Sequence, residues 1–94
     1  MPTEAQDSLG YERITVGTAI KSLTVPTGAG AALLQAETAD IRWRDDTNAG
    51  SVAAGTGLVM TAGAAPFYHA GALSAFRAVR SGTVDATLHV VYYE

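Results

Sequence analysis

The chain contains no cysteine. That excludes disulfide staples, thiolate zinc sites and a cysteine nucleophile, and it leaves the redox compartment open. Charge is scarce too: 16% of the residues are charged, against roughly 25% in ordinary soluble domains. The six basic residues, Arg13, Lys21, Arg42, Arg44, Arg77 and Arg80, are dispersed, and the formal net charge is −3. A phosphate-binding surface needs clustered Lys and Arg, so no nucleic-acid partner is expected.

Imidazole is as rare. His69 and His89 are the only histidines, too few for the convergent set of ligands that a cupin-type metal centre requires. Both are expected to be ordinary strand residues near a surface, with no cofactor. Asp45, Asp46, Asn48 and Gly50 resemble a fragment of a calcium loop. They lack the closing bidentate acid and read as a turn. No serine sits in a Gly-x-Ser-x-Gly turn, and the clusters Gly28-Ala29-Gly30 and Gly55-Thr56-Gly57 lack the Lys-Ser or Lys-Thr of a phosphate loop. Glu37 and Asp40, three residues apart, fall on opposite faces of an extended chain. No catalytic machinery is visible, and a non-enzymatic role is expected.

Long apolar runs are missing as well. The segment 47–76 carries no Asp, Glu, Lys or Arg, but its glycines, Pro66 and many Ala, Ser and Thr residues make it too weakly apolar to span a membrane. The first ten residues have neither a basic n-region nor an apolar h-region, so no signal peptide is expected.

What is present is alternation. In Tyr11–Val16, Glu12, Ile14 and Val16 share one face, while Arg13 and Thr15 take the other. Leu23 and Val25 share a side before the Pro26-Thr27-Gly28 turn. Residues 31–36 form a short strand, and Ala39, Ile41 and Trp43 alternate with Asp40, Arg42 and Arg44 in the clearest half-buried strand. Leu58–Met60 and Phe67–His69 read as short strands. Leu73–Val79 fits strand or helix, and the bracketing Gly71 and Gly82 favour an extended strand. The run Thr83–Tyr93 reads as the longest strand. Seven to eight short strands at this spacing predict an all-β antiparallel sandwich, jelly-roll-like. Residues 1–10 form an N-terminal arm and residues 11–94 the domain.

The chain of 94 residues is 48% hydrophobic, much of it alanine. A weakly charged surface of small residues suits a protein held in an assembly better than a free monomer. The aromatic residues Tyr11, Trp43, Phe67, Tyr68, Phe76, Tyr92 and Tyr93 are many for so small a core. Trp43 and Phe76 are assigned to it. Tyr92 and Tyr93 point to opposite faces of the last strand, and exposed tyrosine is enriched at interfaces. Arg42 and Arg44 could pair with acids on a neighbour. The candidate interface residues are therefore Tyr11, Arg42, Arg44, Phe67, Tyr68 and Tyr93.

The order ITVGTAIKSLTVPTGAGAALLQAE, ADIRWRDD and GLVMTAGAAPFYHAGALSAFRAVRSGTVDATLHVVYYE resembles small β-sandwich structural proteins of tailed bacteriophages. The shared pattern is a "VP-x-GA" turn, an "IR-x-R-x-D" strand and a closing "L-x-x-F-R-x-I-R … DATL-x-V-x-Y" segment, over residues 13–93. It maps onto Pro26 and Gly28, then Ile41, Trp43 and Arg44, then Phe76, Arg77 and Arg80, with Val79 where the pattern often has Ile. The resemblance implies a virion component, either a capsid decoration or cement protein or a head–tail or tail-associated piece. It further implies assembly in the host cytoplasm and contact with major capsid, portal or tail proteins. A homo-oligomer, such as a trimer, fits this role. The alternative is a carbohydrate- or ligand-binding module that stacks its ligand on Tyr68, His69 and Tyr93.

Overall fold

A computed structural model of the protein describes residues 8–46, 48, 50, 52–53 and 55–94. Eight strands follow in chain order: β1 (Ser8–Val16), β2 (Lys21–Ser22), β3 (Ala31–Glu37), β4 (Ile41–Arg44), β5 (Leu58–Met60), β6 (Phe67–His69), β7 (Arg77–Arg80) and β8 (Ala86–Tyr93). They form two four-stranded antiparallel sheets, ordered β1-β8-β3-β6 and β2-β7-β4-β5. Each strand of the first half of the chain pairs with one of the second half: β1 with β8, β2 with β7, β3 with β6, β4 with β5. The two sheets form the all-β antiparallel sandwich that the strand count and alternation predict.

Alternation explains which residues meet inside. Val16 from β1, Leu34 from β3, Ile41 from β4, and Leu88, Val90 and Tyr92 from β8 are fully or almost fully buried. They close over Trp43 and Phe76, whose rings stack with centroids 5.3 Å apart and planes 16° apart. Burying large side chains of this kind is worth about 1.5–3 kcal/mol each, and it outweighs the weak β propensity of the alanines between them.

Three boundaries differ from the sequence reading. Strand β1 begins at Ser8, three residues before the expected start of the domain, and its register slips by one residue between Ser8 and Gly10. The arm expected over residues 1–10 lies outside the described residues as far as residue 7. Leu73–Val79 is not one strand: a short 3-10 turn over Leu73–Ala75 precedes β7. Leu73 and Phe76, three apart, are both buried, which is why the segment fits both periods. Finally, β8 starts at Ala86 and not at Thr83, leaving Val84 exposed and β1 the longest strand. Strands β7 and β8 lie in different sheets, so residues 81–85 are spent crossing between layers.

Candidate functional site

The pleat sets which side chains each sheet shows to solvent. Across the outer face of the first sheet, the register aligns Tyr11 on β1 with Val91 on β8, Leu33 on β3 and Tyr68 on β6. Two residues along lies the row Arg13, His89 and Gln35, and beyond it Thr15, Thr87 and Glu37. Tyr11 is 61% exposed and Tyr68 52%, while Leu33, Val91 and Tyr93 are half-buried. Three of the expected interface residues, Tyr11, Tyr68 and Tyr93, therefore share one surface. Sequence alone did not single out Leu33 or Val91. Only the strand register inserts them between the tyrosines.

A hydrogen-bond chain crosses three strands of this face. Glu37 Oε1 lies 2.8 Å from His89 Nε2, and Tyr11 Oη lies 2.7 Å from His89 Nδ1. An ionised Glu37 accepts from Nε2–H, which leaves Nδ1 to accept the tyrosine hydroxyl proton. The hydrogen bond from His89 and, when the ring is protonated, its charge hold the Glu37 carboxyl below the ordinary carboxylate value, with a smaller contribution from Arg13. The phenol ring of Tyr11 stacks on the imidazole, centroids 6.0 Å apart. Acid, imidazole and hydroxyl stand in the order of a nucleophile activated by a base. The chain also fixes the ring of Tyr11 on this sheet face. Glu37 and His89 are 52 residues apart, so no local pattern could announce them.

The outer face of the second sheet is different. Arg42 and Arg44 point out from β4, and each bonds within the chain. Arg42 Nη1 donates to Gly57 O at 2.9 Å. Arg44 grips Asp46 with two bonds, Nε to Oδ1 at 2.9 Å and Nη2 to Oδ2 at 2.6 Å. That pair holds Asp46 below its ordinary value. Val52 and Val79 are 3% and 4% exposed and line one cleft on this side of the sandwich. Both arginines are thus bonded within the chain, Arg42 to the backbone of Gly57 and Arg44 to the carboxylate of Asp46.

Phe67 also differs from its neighbour Tyr68. Paired with Leu34, it turns inward against Trp43, 5.5 Å between centroids, and stays 39% exposed because β6 is an edge strand. Edge strands β5 and β6 lie at the same side of the sandwich. Between them opens a cleft of about 500 Å³, lined by Trp43, Leu58, Val59, Met60, Ala64 and Phe67 among others, none of them charged.

His69, expected near a surface, is buried. Its ring meets the edge of Trp43 at 5.3 Å, and its Nε2 lies 2.9 Å from Asp45 Oδ2, close enough for an ion pair though not aligned as a hydrogen bond. A Cβ on Gly71 would lie 2.8 Å from that carboxylate oxygen and 2.9 Å from the imidazole, so a larger residue there requires the pair to shift. With His69 facing inward and Tyr68 outward, Tyr68, His69 and Tyr93 do not form one stacking platform for a sugar.

The expected turn at Asp45–Gly50 includes Thr47 and Ala49, which lie outside the described residues. Asp45 and Asp46 are directed apart, one toward His69 and the other onto Arg44. Among the described residues, no group of three His, Asp or Glu side chains is placed to hold a metal ion, and no helix is long and apolar enough to cross a membrane. No protein-family model matches the chain, and neither the curated proteins nor the solved structures yield a match.

Proposed function

We propose that this chain is a non-enzymatic virion structural protein, a capsid decoration or cement protein or a head–tail or tail-associated component, acting by protein–protein assembly. One observation carries it. The outer face of the first sheet gathers Tyr11, Leu33, Tyr68, Val91 and Tyr93 into one aromatic and aliphatic patch, with Tyr11 and Tyr68 more than half exposed. Aromatic residues on a weakly charged surface are the composition of interface cores.

Two further features support the reading. Eight-stranded jelly rolls recur in viral capsid domains, as they do in lectins and cupins, so this is support by fold analogy alone. The phage-like motifs also fall on parts that shape the sandwich: Trp43 and Phe76 in the stacked core, Arg44 on Asp46, and Arg80 on Asp85 at 2.7 Å. The partners are then the major capsid, portal or tail proteins, with further copies of the chain, at the virion.

The test is co-sedimentation of the purified chain with isolated phage heads and, separately, isolated tails. Recovery in the pellet with either one, lost on substituting Tyr68→Glu, is expected. A chain that pellets with neither one defeats the proposal.

A further inference from the structure

We propose that the outer face of the first sheet pairs with the same face of a second copy of this chain. The inference rests on the assembly role above and specifies one partner for the surface that role uses.

The row Tyr11–Val91–Leu33–Tyr68 reads tyrosine, aliphatic, aliphatic, tyrosine across the four strands. A two-fold axis parallel to the strands reverses the strand order and keeps each row at its level. It therefore brings Tyr11 over Tyr68 of the second copy, and Val91 over Leu33 of the second copy. An isologous interface requires a patch that matches its own reverse, and this row does. Sheets packed face to face lie about 10 Å apart with strands nearly aligned, which leaves room for the two layers of side chains.

Charge points the same way. The chain carries −3 overall, so two copies meeting at random repel. On this face the same operation sets His89 over Gln35 and Glu37 over Thr87 of the second copy, and it carries Arg13 to the lane of β6. No charge meets its own sign. The Tyr11–His89–Glu37 chain fixes the outer tyrosine before association, which lowers the entropy lost on binding.

The other long edge of the sheet is a poorer docking element. In β1 the register slip beside Gly10 and the inward carboxylate of Glu12 interrupt an otherwise open strand, both devices that blunt edge pairing.

Area sets the strength. The four strands have 9, 8, 7 and 3 residues, and at about 3.4 Å per residue and about 4.8 Å between strands they give a footprint on the order of 450 Å². A stable complex usually buries about 800 Å² per partner. The dimer is therefore weak and concentration-dependent, reinforced where an assembly holds copies close together.

Sedimentation velocity over about 1 μM to 1 mM reads this out, with circular dichroism and Trp43 fluorescence to confirm folding. The expected result is a monomer–dimer equilibrium weakened at least tenfold by Val91→Glu or Tyr68→Glu and unmoved by Leu58→Glu in the edge cleft. A second readout fixes the register. An equimolar mixture of Tyr11→Cys and Tyr68→Cys chains should cross-link through a short bismaleimide, and each chain alone much less, because like positions lie about three strand spacings apart. A wild-type chain monomeric throughout overturns the pairing. If its capture by phage heads or tails still depends on Tyr68, the assembly role survives with a different partner. A dimer insensitive to the row variants but broken by Leu58→Glu also overturns it, in favour of the edge.

Discussion

The hydroxyl of Tyr92 donates a 2.6 Å hydrogen bond to Glu12 Oε2, joining the inward faces of β8 and β1 eighty residues apart in sequence. The same oxygen accepts Thr24 N–H at 3.1 Å. One carboxylate thereby ties the first strand, the last strand and the segment before β3. Burial first, and then the bond and charge of Glu12, push the Tyr92 phenol above its ordinary value.

Removing that carboxylate leaves two donors without their acceptor. Glu12→Ala is expected to cost about 1–3 kcal/mol, seen as a lower urea midpoint with an unchanged m-value. Tyr92→Phe combined with Glu12→Ala should cost less than the two single changes summed, because they share one interaction. Strict additivity would show that the bond contributes nothing.

Backbone conformation predicts two changes of opposite sign. Thr38 holds φ at +79° in the crossing from β3 to β4, a left-handed conformation that a β-branched residue tolerates poorly. Thr38→Asn should raise stability by about 0.5–1 kcal/mol, measured as a higher melting temperature. A fall in melting temperature would argue that the threonine makes a compensating contact.

Gly57 is the reverse case. Its φ is +126°, and an added Cβ would lie 2.9 Å from Trp43 O. The obstacle is backbone and cannot swing away. Gly57→Ala should cost about 2 kcal/mol or more and loosen the grip of Arg42 on Gly57 O. Near-wild-type stability would mean that the backbone at Gly57 is free to shift.

The Glu37–His89 pair sets a pH dependence with a definite sign. Because the folded carboxyl sits below its ordinary value of 4.5, its contribution to stability is present above that value and disappears as pH falls through the lower, folded one. A carbon-detected NMR titration should place the Glu37 midpoint below 4.5, and His89→Gln should move it back up. An unchanged midpoint in His89→Gln would mean that His89 is not the cause. Asp46, held down by Arg44, loses its contribution in the same direction.

Much of the architecture was legible from local pattern. The in–out order of Glu12, Ile14 and Val16, of Ile41 and Trp43, and of Leu88, Val90 and Tyr92 holds in the structure, because a strand has a period of two wherever it lies. The proposed assembly role is not carried by strand grammar alone. Leu73–Val79 was ambiguous for a physical reason: a 3-10 turn followed by a strand buries residues at both spacings.

Sequence by itself determined the all-β class, the faces of the strands, and the absence of thiol chemistry and basic clusters, since each follows from residue type and nearest neighbours. Tertiary structure alone decided that Tyr11 and Tyr68 end one row, that Glu37 reaches His89, that His69 turns inward, and that Arg42 and Arg44 hold the chain's own backbone and carboxylate. Those outcomes depend on which strands lie side by side and in what register. Such choices are made by burial summed over the whole domain, and no short stretch of residues contains them.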